Sequence, residues 1–129
     1  NQEFTVIVYA DSKGEDILTY DAYIRYNNKD FEYVDAVSQI EGVQTLPTDD
    51  VVDEGDFSDL IISGDKTTKK GPMILSNTAL VEITFRALKA GRFTMEPYFE
   101  LGGGTDSNLF NSKTQDILGK ITGVDITVQ

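Results

Sequence analysis

Apolar and polar residues alternate most clearly between Thr78 and Met95, TALVEITFRALKAGRFTM. On an extended chain one side of this run is apolar (Val81, Ile83, Phe85 and Ala87) and the other polar (Glu82, Thr84 and Arg86). A period of two predicts a strand with one buried and one exposed face. Gly91 interrupts the run and is free to take a positive φ, which predicts a hairpin or a corner before a second strand. A strand of this kind needs a partner layer from the rest of the chain.

Three more strands are predicted in the first part of the chain. Phe4 to Ala10, FTVIVYA, is apolar at almost every position, which predicts a strand with little exposure on either face. Leu18 to Tyr26 predicts a strand with a core face (Tyr20, Ala22, Ile24 and Tyr26) and an exposed face (Thr19, Asp21, Tyr23 and Arg25). Asn27 to Asp30 is a turn by composition, and Phe31 to Val37 is the next strand.

The middle and end of the chain are less regular. Residues 39–56 contain Gly42, Pro47, Gly55 and many acids, which predicts a loop holding one short strand near Val51 and Val52. Further predicted elements are a strand from Phe57 to Ser63, a basic loop from Gly64 to Pro72, a helical turn or extended piece at Met73 to Ser76, short strands near Tyr98 to Leu101 and Gln115 to Lys120, and a closing strand through Val124, Ile126 and Val128. About eight short strands without a convincing helix predict an all-β sandwich or jelly roll.

Composition narrows the classes of function. A chain of 129 residues predicts a single domain over residues 1–129. Its net charge of −11 disfavours nucleic acid and anionic membranes as partners, because both are polyanions. The absence of cysteine and histidine removes the thiolate and imidazole ligands of metals and the usual catalytic nucleophile and base. No apolar run approaches the 18 residues that a membrane helix needs, so no membrane insertion is expected.

No residue pattern indicates catalysis or a metal site. The acids between Thr48 and Asp59 lack the spacing of a calcium-binding EF-hand loop and predict a solvated acidic loop. Among 22 acidic residues, nothing marks a glycosidase pair held in an apolar pocket. We therefore assign no catalytic residue, no metal ligand and no cofactor, and expect a protein that is not an enzyme. The chain also lacks Trp, the best platform for stacking on sugars.

Tyr23 is the one aromatic residue placed on a polar strand face. An exposed aromatic side chain beside charges is a common anchor for a protein partner. The alternative is a tyrosine half-buried under a neighbouring loop. The pattern leaves both interpretations open.

The order of these segments resembles a cohesin module of bacterial cellulosome scaffoldins or related surface proteins. The resemblance rests on FTVIVYA, Thr19 to Tyr26 followed by Asn27, Phe31-Glu32-Tyr33-Val34, Ile61 to Asp65, TALVEITFRALKAGRFTM, Glu100 to Gly103, and Gly123 to Val128. The chain departs from the family at Asn28, where cohesins have proline. It also departs between Val43 and Ser63, where this sequence has one obvious strand and the family has two. The family's first strand has no counterpart ahead of FTVIVYA.

The resemblance implies a jelly-roll β-sandwich of eight to nine strands that binds a dockerin domain. Cohesins bind dockerin on the face formed by their third, fifth, sixth and eighth strands. The third corresponds to Leu18 to Tyr26, the sixth to Phe57 to Ser63, and the eighth begins at Arg92. The implied partner-binding residues are Thr19, Asp21, Tyr23, Arg25, Ile61, Ser63, Asp65 and Arg92. The dockerin would carry its own calcium, so this chain needs no metal.

The resemblance also implies an extracellular location, secreted or attached to a cell surface as part of a larger protein, and a monomer when free. Two alternatives stay open at this point. A carbohydrate-binding module uses the same fold, and a structural spacer in a surface protein would bind no ligand. Soluble glycans in a titration separate the first alternative from a dockerin-binding module.

Overall fold

The computed structural model describes residues 2–52, 55–68, 70–97, 108–111 and 124–128, with side chains described up to residue 91. These residues form nine strands in an all-β fold. They are β1 (Glu3–Ala10), β2 (Ile17–Asn27), β3 (Phe31–Ser38), β4 (Val43–Val51), β5 (Phe57–Lys66), β6 (Thr78–Ala87), β7 (Gly91–Pro97), β8 (Asn108–Asn111) and β9 (Val124–Val128). The predicted segments at Tyr98 to Leu101 and Gln115 to Lys120 lie outside the described residues.

The strands form two antiparallel sheets. One is three-stranded, in the order β1-β6-β3. The other is six-stranded, in the order β4-β5-β2-β7-β9, with β8 paired to β2 beside β7. The chain passes from one sheet to the other between β6 and β7, and Gly91 has a φ of 151° at that point. The predicted break at Gly91 is therefore a corner between sheets.

The core lies between the two sheets and follows the predicted alternation. Val81, Ile83 and Phe85 of β6 are 0% exposed and face the buried positions Tyr20, Ala22, Ile24 and Tyr26 of β2. The Phe85 ring packs edge to face against Tyr26, with centroids 5.2 Å apart, and stacks on Phe4 at 5.9 Å. Such aromatic pairs stabilise a core beyond the area that they bury. The core faces predicted for β2 and β6 are confirmed.

The prediction that β1 is covered on both faces is wrong. Its residues alternate between half-buried and exposed, and Ile7 and Tyr9 on the outer face are 38% and 55% exposed. β1 pairs with β6 in the three-stranded sheet, and only one face of that sheet packs against the core, so the other face of β1 is exposed. The inward and the outward positions of β1 both include apolar residues, so the sequence did not show this alternation.

The prediction of a loop with a short strand between residues 39 and 56 is also wrong. Residues 43–51 form one strand, β4, which pairs with β5 along its whole length. β4 ends the six-stranded sheet, and an edge strand tolerates Pro47 and the acids that argued against a strand. Likewise β5 runs on to Lys66, three residues into the predicted basic loop. The two strands that the cohesin resemblance requires between Val43 and Ser63 are both present.

Residues 73–75 close one end of the sandwich in an extended form. The Ser12 and Ile17 backbone amides donate to the Leu75 and Met73 carbonyls, each at 2.8 Å. The Met73 amide donates to the Asp16 carboxylate at 2.7 Å, which is the largest cause of the lowered pKa of that carboxyl. Burial opposes the shift in the pKa of Asp16, and the ammonium of Lys66 adds to it. This settles the open prediction for Met73 to Ser76 in favour of an extended piece.

Candidate protein-binding face

The outward side chains of β2, β5 and β4 form one continuous surface, which we call the outer face. Backbone pairing aligns it in four rows of three residues. Each row runs from β4 through β5 to β2: Gln44, Asp65 and Thr19; Leu46, Ser63 and Asp21; Thr48, Ile61 and Tyr23; Asp50, Asp59 and Arg25. Every residue of the four rows is half-buried or exposed, whereas the alternate residues of β2 face the core.

The middle of the outer face is apolar. Tyr23 and Ile61 lie directly opposite each other on β2 and β5, and both are half-buried. Leu46 of β4 lies diagonally beside Ile61 and is 52% exposed. Diagonal neighbours of this kind are within reach of long side chains. The three side chains therefore form a shallow apolar strip across the strands.

Two polar pairs fix the side chains beside this strip. The Arg25 guanidinium donates to both carboxylate oxygens of Asp59, at 2.8 and 3.0 Å. The Ser63 hydroxyl donates to Asp21 Oδ1 at 2.8 Å. A bidentate arginine pair and a charge-assisted hydrogen bond hold their side chains in defined positions. A partner that binds here loses less side-chain entropy than it would on mobile groups.

Two tyrosines on the inner side of the same strands pack against β5 and link β2 to β4. Gly64 lies opposite Tyr20, whose ring covers the glycine, and burial raises the pKa of the Tyr20 phenol to about 12. The Tyr26 hydroxyl donates to Asp49 Oδ1 at 2.7 Å and so ties β2 to β4 across β5. Burial and the neighbouring Asp49 carboxylate raise the pKa of Tyr26. Both tyrosines are therefore neutral structural groups at ordinary pH.

The structure brings together all but one of the predicted partner-binding residues. Thr19, Asp21, Tyr23, Arg25, Ile61, Ser63 and Asp65 all lie on the outer face. The remaining residue is on β7, where the backbone of Arg92 pairs with Thr127 of β9, and its side chain lies outside the described part. β7 joins the sheet beside β2 through Glu96, whose backbone pairs with Arg25.

The contribution of β4 to the outer face was not predicted from the sequence. Gln44, Leu46, Thr48 and Asp50 complete the four rows, and none of them was predicted. A signal was present, since Gln44 to Val51 contains no glycine and places Leu46 among polar residues. Pro47 and the two following acids outweighed that signal.

Within the described residues, no group of three or more acidic side chains is arranged to hold a metal ion. The same part of the chain contains no helix of the length and hydropathy that crossing a membrane requires.

Comparison with known proteins finds similarity in structure but not in sequence. No model of a known protein family matches the chain, and no curated protein matches its sequence. Among solved structures, the cohesin module of a Clostridium perfringens family 33 glycoside hydrolase superimposes with a TM-score of 0.71 at 11% identity, covering 98% of this chain and 85% of that one. A structure of the complex of CaDoc0917 with CaCohA2 has a TM-score of 0.73 at 14% identity and covers 99% of this chain and 90% of that one.

A third structure is the Coh-OlpC–Doc435 complex of Clostridium thermocellum, described as a type I cohesin–dockerin complex. It has a TM-score of 0.60 at 14% identity and covers 98% of this chain and 85% of that one. The layers and the matches together define a β-sandwich of the jelly-roll class. Within that class the chain has the fold of cohesin modules, as the sequence resemblance predicted.

Proposed function

We propose that this chain is a non-catalytic cohesin-type module that binds a calcium-loaded dockerin domain and tethers the protein carrying it into an extracellular assembly of the cellulosome type. The observation that carries the proposal is the outer face, an apolar strip between fixed polar pairs. Two of the structural neighbours are complexes of a cohesin with a dockerin, which supports this class of partner. The calcium belongs to the dockerin, and the cohesin side needs no cofactor.

The proposed contacts divide into a centre and a rim. Tyr23, Ile61 and Leu46 form the centre, because buried aromatic and aliphatic anchors carry most of the energy of an interface. The rim is polar and consists of Thr19, Asp21, Arg25, Ser63, Asp65, Arg92 and Thr48. Rim charges set the register and the rate of association more than the affinity. The free module is a monomer and the strands of the face move little on binding.

Calorimetric titration of the purified module with recombinant calcium-loaded dockerins tests the proposal. We expect tight binding by at least one dockerin, and its loss on addition of a calcium chelator. Tyr23→Ala should weaken binding by at least about tenfold, the effect of losing a central aromatic anchor. Val37→Ala is the matched control, because Val37 is 54% exposed on the other sheet and should leave binding unchanged.

Two results would contradict the proposed function or its site. Full affinity in both Tyr23→Ala and Asp21→Ala would remove the outer face as the docking site. Failure of every dockerin, together with heat of binding to soluble xylan or cellulose fragments, would replace the proposal with a carbohydrate-binding module.

A further inference from the structure

Two carboxylates without a partner lie at opposite ends of the outer face. Asp65 is in the first row and Asp50 in the last, and neither side-chain carboxylate forms a hydrogen bond or an ion pair with the described residues. The other two acids of the face are engaged, Asp21 by the Ser63 hydroxyl and Asp59 by the Arg25 guanidinium. The apolar strip therefore lies between two unneutralised negative charges.

The last row of the outer face contains a pair of like charges that destabilises the sheet. Asp50 and Asp59 lie directly opposite each other on β4 and β5. Like charges at opposed positions destabilise a pair of strands. Arg25 lies on the far side of Asp59, so it neutralises Asp59 and leaves Asp50 unpaired. A local arrangement that opposes the fold without compensation is a mark of a functional position.

The sequence around Asp50 is acidic. The sequence from Asp49 to Asp59 contains six acidic residues and no basic residue. The single cation of the four rows, Arg25, is already committed to a bidentate pair. Among the side chains of the four rows, the charge that is left without a partner is therefore negative.

We propose that the dockerin bound by this face presents a basic surface, with Lys or Arg side chains that pair with Asp50 at one end of the apolar strip and with Asp65 at the other. This inference rests on the proposed function and narrows the partner to one chemical class. Complementary charges accelerate association and exclude partners with an acidic surface, since like-charge contacts oppose docking.

The register also sets the spacing of the partner's cations. Asp50 is opposite Asp59, and Asp65 lies six residues further along β5. Six residues of a strand span about 20 Å. A helix lying along the strands would place two cations at that separation about 13 residues apart. This distance exceeds the Debye length of about 10 Å in 0.1 M salt, so the two pairs contribute independently at that salt concentration.

The test measures association rates with recombinant calcium-loaded dockerins graded from acidic to basic. The module is used unchanged and as Asp50→Asn, Asp65→Asn and the double variant. Asp35→Asn is the matched control for the single variants, because Asp35 is an exposed acid on β3 in the other sheet and its loss changes the net charge by the same one unit. Rates are recorded across a series of salt concentrations.

We expect the basic dockerins to associate fastest, with rates that fall as salt is added. The double variant should lower that rate by about tenfold in low salt, the lower end of the range for electrostatic steering. The control should change it by less than about twofold. Tight binding with a rate that neither salt nor the double variant alters would refute the basic partner and leave the dockerin-binding function standing. Failure of every dockerin to bind would refute both.

Discussion

Replacing Gly64 with alanine should disrupt the sheet from which the outer face is built. Gly64 lies on β5 between the outward residues Ser63 and Asp65 and opposite Tyr20 of β2. A Cβ at this position would lie 2.6 Å from Cδ1 of Tyr20 and closer still to Cε1 and Cζ. The glycine is needed because the tyrosine ring occupies the space of a side chain, not because of a left-handed backbone.

The size of the effect follows from the packing around the ring. Tyr20 is 0% exposed, so its ring cannot swing out into solvent, and β5 is held between β4 and β2. Overpacking a core costs about 1–3 kcal/mol. We expect Gly64→Ala to lie near the top of that range, at about 3 kcal/mol. For a domain of this length that lowers Tm by roughly 10 °C.

Urea unfolding and thermal melting followed by circular dichroism measure this effect. Gly71→Ala is the control, since Gly71 has a φ of 81° with nothing near its Cβ position, and its cost of about 1 kcal/mol is conformational alone. Combining Gly64→Ala with Tyr20→Val should cost no more than Tyr20→Val by itself, because valine lacks the δ, ε and ζ carbons that clash. Additive costs in the double variant would refute the role assigned to the ring.

Two further variants test buried and charged groups. Tyr20→Phe should raise the unfolding free energy by about 1 kcal/mol, because the Tyr20 hydroxyl is buried without a hydrogen-bond partner among the described residues; urea unfolding would measure it. The fold lowers the pKa of Asp16, chiefly through the Met73 amide, so its contribution to stability is present above its ordinary pKa of 3.8 and is lost as pH falls through the folded value. Asp16→Asn should therefore flatten the acid side of a plot of Tm against pH; an unchanged slope would contradict this reasoning.

The fold was predictable where one strand face is apolar and the other polar. β2 and β6 satisfy that condition, and their buried residues were predicted correctly. β1 was predicted as a strand, but its exposed face was not, because Ile7 and Tyr9 are as apolar as the half-buried residues beside them. β4 was missed because an edge strand accepts proline and acids that a central strand would exclude.

The candidate site was predictable as a face but not as a set of contacts. Alternation alone places Thr19, Asp21, Tyr23 and Arg25 on one side of β2. It cannot show that Arg25 lies opposite Asp59 or that Ser63 lies opposite Asp21, since both depend on the register between β2 and β5. A shift of that register by one residue would put the opposite side of a strand outward. The cross-strand pairs are therefore properties of the tertiary structure.

The outer surfaces of the two sheets place their charges in opposite ways. On the three-stranded sheet, Arg86 of the central strand pairs with Glu3 at 3.0 Å and with Glu32 at 2.9 Å on its two neighbours. On the outer face the central position of the last row is an acid, Asp59, which has Arg25 on one side and Asp50 on the other. The first arrangement joins three strands, whereas the second joins two and repels the third.

Asp50→Lys would convert the second arrangement into the mirror of the first, with Asp59 shared between two cations. A favourable opposed pair in place of a repulsive one should raise the unfolding free energy by about 0.5 kcal/mol, measured by urea unfolding. The same change places a positive charge where we propose that a basic dockerin docks, so its association with that dockerin should slow. A variant that is more stable and still binds at the original rate would show that Asp50 serves neither the sheet nor the partner.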